Sequence, residues 1–114
     1  MLVNANCTLY EADTYTRHEL LNVYWNDSRG RTVSKGGIQI TDSVLVYIYD
    51  GTYIPKAGDL IVHGLTAFAF DVQSQRTVSE SMKQFRTQFP GFAVVKSVND
   101  ARYGGLPHIE VIAR

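Results

Sequence analysis

A single cysteine, Cys7, is all the thiol chemistry the chain has. It cannot form an internal disulfide, and one cysteine does not build a zinc site of the usual kind. Charge of either sign is not in excess: eleven Lys and Arg balance eleven Asp and Glu. A protein whose main partner is nucleic acid ordinarily carries a basic surplus, because phosphate neutralisation supplies most of the non-specific affinity. Neutrality argues against that class, although it leaves room for a local basic patch. It also leaves little self-repulsion between copies, which favours assembly. No apolar run approaches the roughly 20 residues needed to span a bilayer. The start, Met1-Leu2-Val3-Asn4-Ala5-Asn6, lacks a basic segment ahead of a long apolar stretch, so no signal peptide is evident. The expectation is a soluble protein made in a reducing cytoplasm, without a membrane partner.

Chemistry-bearing motifs are equally scarce. His18, His63 and His108 fall on separate predicted strands, with no HxH, HxxxH or HExxH spacing. His63 reads as a strand end and His108, after Pro107, as a strand beginning. No G-x-S-x-G occurs and no base is placed for a nucleophile, so Cys7 reads as a small packing residue. Asp42, Asp50, Asp59, Asp71 and Asp100 fall at strand ends, where aspartates cap turns more often than they pair for acid–base work. A phosphate cradle needs a glycine-rich loop leading into a helix, whereas Gly36-Gly37 leads into a strand. The expectation is no enzyme, no metal and no cofactor.

What the chain does have is alternation. Its 114 residues suit one domain spanning 1–114, and 45% hydrophobic with 19% charged residues is an ordinary globular composition. Thr8 and Tyr10, then Tyr15, Arg17 and Glu19, read as the arms of a first hairpin with Glu11-Ala12-Asp13-Thr14 as its turn. Residues 20–25, rich in branched and aromatic side chains, and 43–49, the strongest signal, read as strands. Residues 38–41 resume the alternation. Asp50-Gly51 and Pro55-Lys56-Ala57-Gly58 punctuate the chain before a strand over 59–64. Residues 65–70 prolong that strand or begin another. Val94, Val95 and Val98, then Ile109, Val111 and Ile112, flank a turn-rich stretch over 99–105 and give a final strand pair.

One segment is helical. Thr77-Val78-Ser79-Glu80 fits a capping box with Thr77 as N-cap. Met82, Phe85 and Phe89 recur on one face, and Pro90-Gly91 stops the helix. Three such side chains, each contributing ~1.5–3 kcal/mol if fully buried, dock a short helix on a sheet. The fold class expected is mainly β: a small antiparallel β-barrel (or sandwich) with one short α-helix near residues 78–89. Closing the sheet removes its edges, with the C-terminal strand supplying one seam.

Two loops remain as candidate contact sites. Residues 26–37 carry Arg29, Arg31 and Lys35 with no acid after Asp27; residues 50–58 carry Tyr53, Ile54, Pro55 and Lys56. The first is a solvated loop or a contact for an acidic partner or passing DNA phosphate. The second, with exposed Tyr and Ile, fits a protein interface.

Taken together, "NCTLYEADTYTRHELLNVYW", "DSVLVYIYDGTYIPKAGDLIVHG" and "KSVNDARYGGLPHIEVIAR" resemble small minor capsid, or head–tail joining, proteins of tailed phages and prophages of Gram-positive bacteria. The resemblance rests on Thr8 to Tyr10, Val23 to Trp25, Pro55 with Gly58 to Gly64, and Ser97 to Val111, in that order along nearly the whole chain. It implies a stopper-like head-completion protein: a β-barrel assembling as a ring of copies that joins portal or adaptor to tail-completion proteins and helps retain packaged DNA. Non-specific contact with DNA in the channel belongs to the same expectation, as does a place in the virion after assembly in the host cytoplasm. The resemblance carries over no catalytic residue, and residues 69–75 form a shorter loop than in longer relatives. Arg29, Arg31, Lys35, Tyr53, Ile54 and Lys56 are chosen on composition alone. The rival classes are an OB-like single-stranded nucleic-acid binder, which neutral charge opposes, and a small enzyme, for which no constellation stands out.

Overall fold

The computed structural model describes residues 3–29, 34–35, 38–39, 42–49, 53–102 and 107–114. Six strands close into an antiparallel barrel in the order β1-β2-β5-β8-β7-β6. They are β1 (Ala5–Tyr10), β2 (Arg17–Asp27), β5 (Val44–Ile48), β6 (Leu60–His63), β7 (Ala93–Asp100) and β8 (Ile109–Ala113). A separate two-stranded sheet pairs β3 (Ser34–Lys35) with β4 (Ile38–Gln39). The expected barrel is therefore the architecture, and the sandwich alternative falls away. The C-terminal strand lies between β5 and β7, pairing with both.

Alternation decides which side chains fill the barrel. Val44, Val46 and Ile48 on β5 and Ile109, Val111 and Ala113 on β8 point inward and are at most 2% exposed. They meet Cys7, Leu9, Leu20, Val23, Trp25, Ile61, Ala93 and Val95 in one cluster. The neighbouring residues on each strand point outward. Where β1 meets β2, the register shifts between Ala5 and Cys7. Asn22 takes the extra residue of that bulge at φ 56°, a region asparagine tolerates better than most. The Asn6 carboxamide oxygen accepts its N–H at 2.9 Å.

The helix α1 (Gln75–Gln88) covers the outside of the barrel at β1, β6 and β7. There Tyr10, Leu60 and Val62 point out of the barrel and pack with Phe70 and Phe85, while Met82, Phe89, Phe92 and Val94 flank them. Tyr10 and Phe85 meet edge-to-face at 5.4 Å. The start of this helix corrects the sequence expectation. Ser74 is the N-cap and Thr77 the third helical residue; the Ser74 hydroxyl accepts from the Thr77 N–H at 3.2 Å, and the Thr77 hydroxyl accepts from the Ser74 N–H at 2.9 Å. Glu80 instead bonds Arg76 at 3.3 Å. Starting three residues earlier makes Ser74 and Thr77 reciprocal partners, so two free backbone donors are satisfied at once.

Residues 65–70 neither prolong β6 nor form a strand. They hang from β1 by side chains: the Thr66 N–H donates to the Thr8 hydroxyl at 3.1 Å, and the Tyr10 hydroxyl donates to the Phe68 carbonyl at 2.7 Å. That attachment aims Phe68 and Phe70 at α1, where their aromatic alternation is satisfied without a strand ladder.

Candidate functional site

The first loop is anchored at its base. Arg29 folds back onto Asp27, the last residue of β2, with Nε and Nη2 donating to the carboxylate at 3.0 and 2.7 Å. Its Nη1 donates to the Phe92 carbonyl at 2.9 Å, and Nη2 also reaches the Gly91 carbonyl. Arg29 thus ties the end of β2 to the turn after α1. The hydrogen bonds to Asp27 push the guanidinium pKa further up. Arg31 and the side chain of Lys35 lie outside the described residues.

The second loop converges on a polar network at one end of the barrel. Asp59, fully buried, accepts from the Ala12 N–H at 2.9 Å, the Lys56 N–H at 2.8 Å and the Tyr53 hydroxyl at 2.9 Å. Burial, and then the Asp59 carboxylate, raise the Tyr53 pKa. The Tyr53 ring stacks on His18 at 4.1 Å and 14°, and His18 shares a 2.8 Å hydrogen bond with Glu11. Asp59 is the turn cap that the sequence suggested, extended into a bridge between three segments. Gly58 supports it at φ 97°, and a Cβ there would meet the Ala12 Cβ at 3.3 Å. Of the neighbouring candidates, Ile54 and Lys56 are exposed and Tyr53 is half-buried.

This network is satisfied, not poised. Among the described residues, no buried side-chain nitrogen or oxygen lacks a hydrogen-bond partner, and no three of His, Cys, Asp and Glu gather as metal ligands would. Cys7 is fully buried, and burial pushes its thiol up to about 12, far from the reactive range. A groove of about 700 Å³ lies between the β1–β2 turn and the start of α1, lined by Tyr15, Val72 and Val78 with Asp13 as the one acid in its lining. No helix among the described residues is long and apolar enough to cross a membrane.

A third arrangement was not singled out from the sequence. On the outside of β2, β5 and β8, register places Tyr24 opposite Tyr47 and Tyr47 opposite Glu110. The Tyr24 and Tyr47 rings lie 5.4 Å apart; His108 lies 4.9 Å from Tyr47 and 6.2 Å from Tyr49. Leu45 sits opposite Ile112, which is 42% exposed. The result is an aromatic and aliphatic strip across three strands. Its signal lay in "VLVYIY", where outward positions hold Leu45, Tyr47 and Tyr49; reading it needed the strand order.

No curated protein and no solved structure matches the chain. Residues 2–114 match a family model described only as of unknown function, DUF6751, and the chain belongs to that family.

Proposed function

We propose that the chain is a structural subunit of a phage head–tail connector, stopper-like, that works by docking to copies of itself and to portal or adaptor and tail-completion proteins. The observation that carries this reading is the outward strip of Tyr24, Leu45, Tyr47, Tyr49 and Ile112 on a closed barrel. Tyrosine is enriched where proteins meet proteins, and contiguous exposed apolar surface marks such contacts. The resemblance adds support, since its motifs fall on β1, β2, β6, β7 and β8, the elements that build the body. A barrel without free edges leaves faces and loops for contact, and a ring needs two different patches on each copy. In this reading the protein acts in the virion, at the junction of head and tail, and its ring helps retain DNA.

The test is reconstitution. The chain is mixed with portal and adaptor proteins of a tailed phage, and the complex is isolated and imaged. A ring of this protein beneath the adaptor supports the proposal; an adaptor complex that excludes it overturns the proposal.

A second reading draws on the same strip. Aromatic side chains spaced across strands can stack nucleobases, as in OB-like modules. Glu110 within the strip, and a helix that masks the opposite side of the barrel, favour protein over phosphate. Titrating a tyrosine fluorescence signal with single-stranded oligonucleotide at low salt separates the two, since tight and salt-sensitive binding belongs to the nucleic-acid reading alone.

A further inference from the structure

The buried carboxylate at the barrel end also fixes a piece of surface. Tyr53 and Lys56 are both tied to Asp59, one through its hydroxyl at 2.9 Å and the other through its backbone N–H at 2.8 Å. Pro55 between them is buried, and Ile54 is left 42% exposed. An apolar side chain is thus held out to solvent on a turn anchored at both ends. The Lys56 side chain is exposed beside it and makes no ion pair among the described residues.

The groove of about 700 Å³ lies on the other side of the β1–β2 turn. Its lining includes Val72, which is 55% exposed, with Val78 and Tyr15. The Tyr15 wall is fixed: its ring stacks on Phe70 at 4.6 Å and its N–H donates to the Glu11 carbonyl at 2.9 Å, holding the residue at φ 58°. Asp13 is exposed and, unlike Glu11, which pairs with His18, makes no ion pair among the described residues. Each copy therefore carries an apolar knob beside a free cation, and an apolar groove beside a free carboxylate.

Knob and groove flank one turn. The Ala12 N–H donates to the same carboxylate that holds the knob, and Asp13 and Tyr15 follow it into the groove. Ile54 and Lys56 do not line the groove of their own copy. Two adjoining, complementary features are filled together when two copies face each other across a two-fold axis. We infer that the groove receives the Ile54–Lys56 turn of a second copy of this chain and that each copy returns its own turn to the other. Ile54 covers Val72, Val78 and the Tyr15 ring, and the Lys56 ammonium meets Asp13. Because Asp59 already holds the turn, little loop freedom is lost on contact, and the charge pair fixes the register. Such an interface is small, under ~1,200 Å² in total, so association is weak and reversible. It closes as a pair, and so is separate from the ring contacts of the connector reading and does not rest on them.

Two charge variants test it by sedimentation equilibrium at up to about 1 mM, which detects millimolar dissociation constants. Asp13→Lys and Lys56→Asp change exposed side chains outside the Asp59 hydrogen bonds, and Trp25 fluorescence checks that each chain folds. The native chain is expected to dimerise. Asp13→Lys sets cation against cation at both contacts and Lys56→Asp sets carboxylate against carboxylate, so each alone associates at least about tenfold more weakly. Mixed, the two chains restore one cation and one carboxylate at each contact, and a mixed dimer forms as tightly as the native one. Ile54→Asp abolishes association. A native chain that stays monomeric, a mixture no tighter than its components, or an Ile54→Asp chain that still dimerises overturns the inference. A ring on the adaptor from a chain that forms no such pair removes this contact alone; pairs from a chain that the adaptor complex excludes uphold it and remove the connector reading.

Discussion

Removing the Asp59 carboxylate is the sharpest perturbation of the barrel end. Asp59 is fully buried and receives the Ala12 N–H, the Lys56 N–H and the Tyr53 hydroxyl. Hydrogen bonds to an ionised group contribute ~1.5–3 kcal/mol each, and orphaned buried donors cost ~1–3 kcal/mol. The three share one carboxylate and are not additive, and water reaches part of the space left by Asp59→Ala. A net loss of about 3–5 kcal/mol follows. For a domain of this size that is a drop of ~10–20 °C in Tm, or ~2 M in a urea midpoint at a typical m-value. Asp59→Asn costs less, since one amide oxygen still accepts, but Oδ2 receives both Tyr53 and Lys56 and an amide nitrogen can accept from neither. Tyr53→Phe leaves two N–H donors in place and costs about 1–1.5 kcal/mol. Urea unfolding followed by Trp25 fluorescence gives the order Asp59→Ala, then Asp59→Asn, then Tyr53→Phe. An Asp59→Ala cost under about 1 kcal/mol, or one no larger than that of Tyr53→Phe, refutes the bridge.

Three further outcomes can be checked on the same assay. Arg29→Ala loses the ties to Asp27, Gly91 and Phe92 and costs ~1–2 kcal/mol; Arg29→Lys does not recover it, because one ammonium cannot reproduce the guanidinium fork. Ser74→Ala lowers stability by ~1 kcal/mol while Glu80→Gln changes it by less than about 0.5; the reverse order would restore the cap to Thr77. Cys7 keeps its proton up to about 12 in the folded chain against an ordinary 9.0, so its stabilising contribution is complete below pH 9 and is lost between pH 9 and 12. The slope is ~1.4 kcal/mol per pH unit, with the raised Tyr10 and Tyr53 acting in the same direction above pH 10. A Cys7→Ala chain shows a shallower slope over pH 9–10, and the native thiol resists a disulfide reagent until urea is added.

The body of the fold was legible because burial is written in period two. Branched and aromatic residues mark "VLVYI" and "IEVIA" as strands and burial alternates along both, but Leu45 and Ile112 are apolar and point outward, so the phase comes from the sheet. What local pattern does not carry is attachment at a distance. Residues 65–70 alternate Leu65, Ala67 and Ala69 with Thr66, Phe68 and Phe70, which reads as a strand. Yet their neighbours are the side chains of Thr8 and Tyr10, 58 positions away in sequence, so the pattern is met by a helix-facing aromatic row. The helix start went wrong for a different reason. Ser74 and Thr77 can each cap, and the Ser74–Thr77 pair satisfies two backbone donors reciprocally while Glu80 bonds Arg76 instead, a choice between two near-equal signals three residues apart.

The same limit governs the candidate site. Counting charge in residues 26–37 finds cations but not their partners, and Arg29 meets carbonyls at positions 91 and 92 that no local window includes. Counting aromatics in 53–56 finds Tyr53, but its hydroxyl belongs to Asp59 and its ring to His18. A contact surface on a barrel is written across strands that are neighbours in the sheet and distant in the chain: Tyr24, Tyr47 and His108 form one row only once β8 is known to lie beside β5. Outward positions of β5 were readable as polar or apolar from the start; what strand order adds is that three such positions adjoin. A search for interfaces in small barrels therefore gains more from predicting which strands pair than from scoring the loops between them.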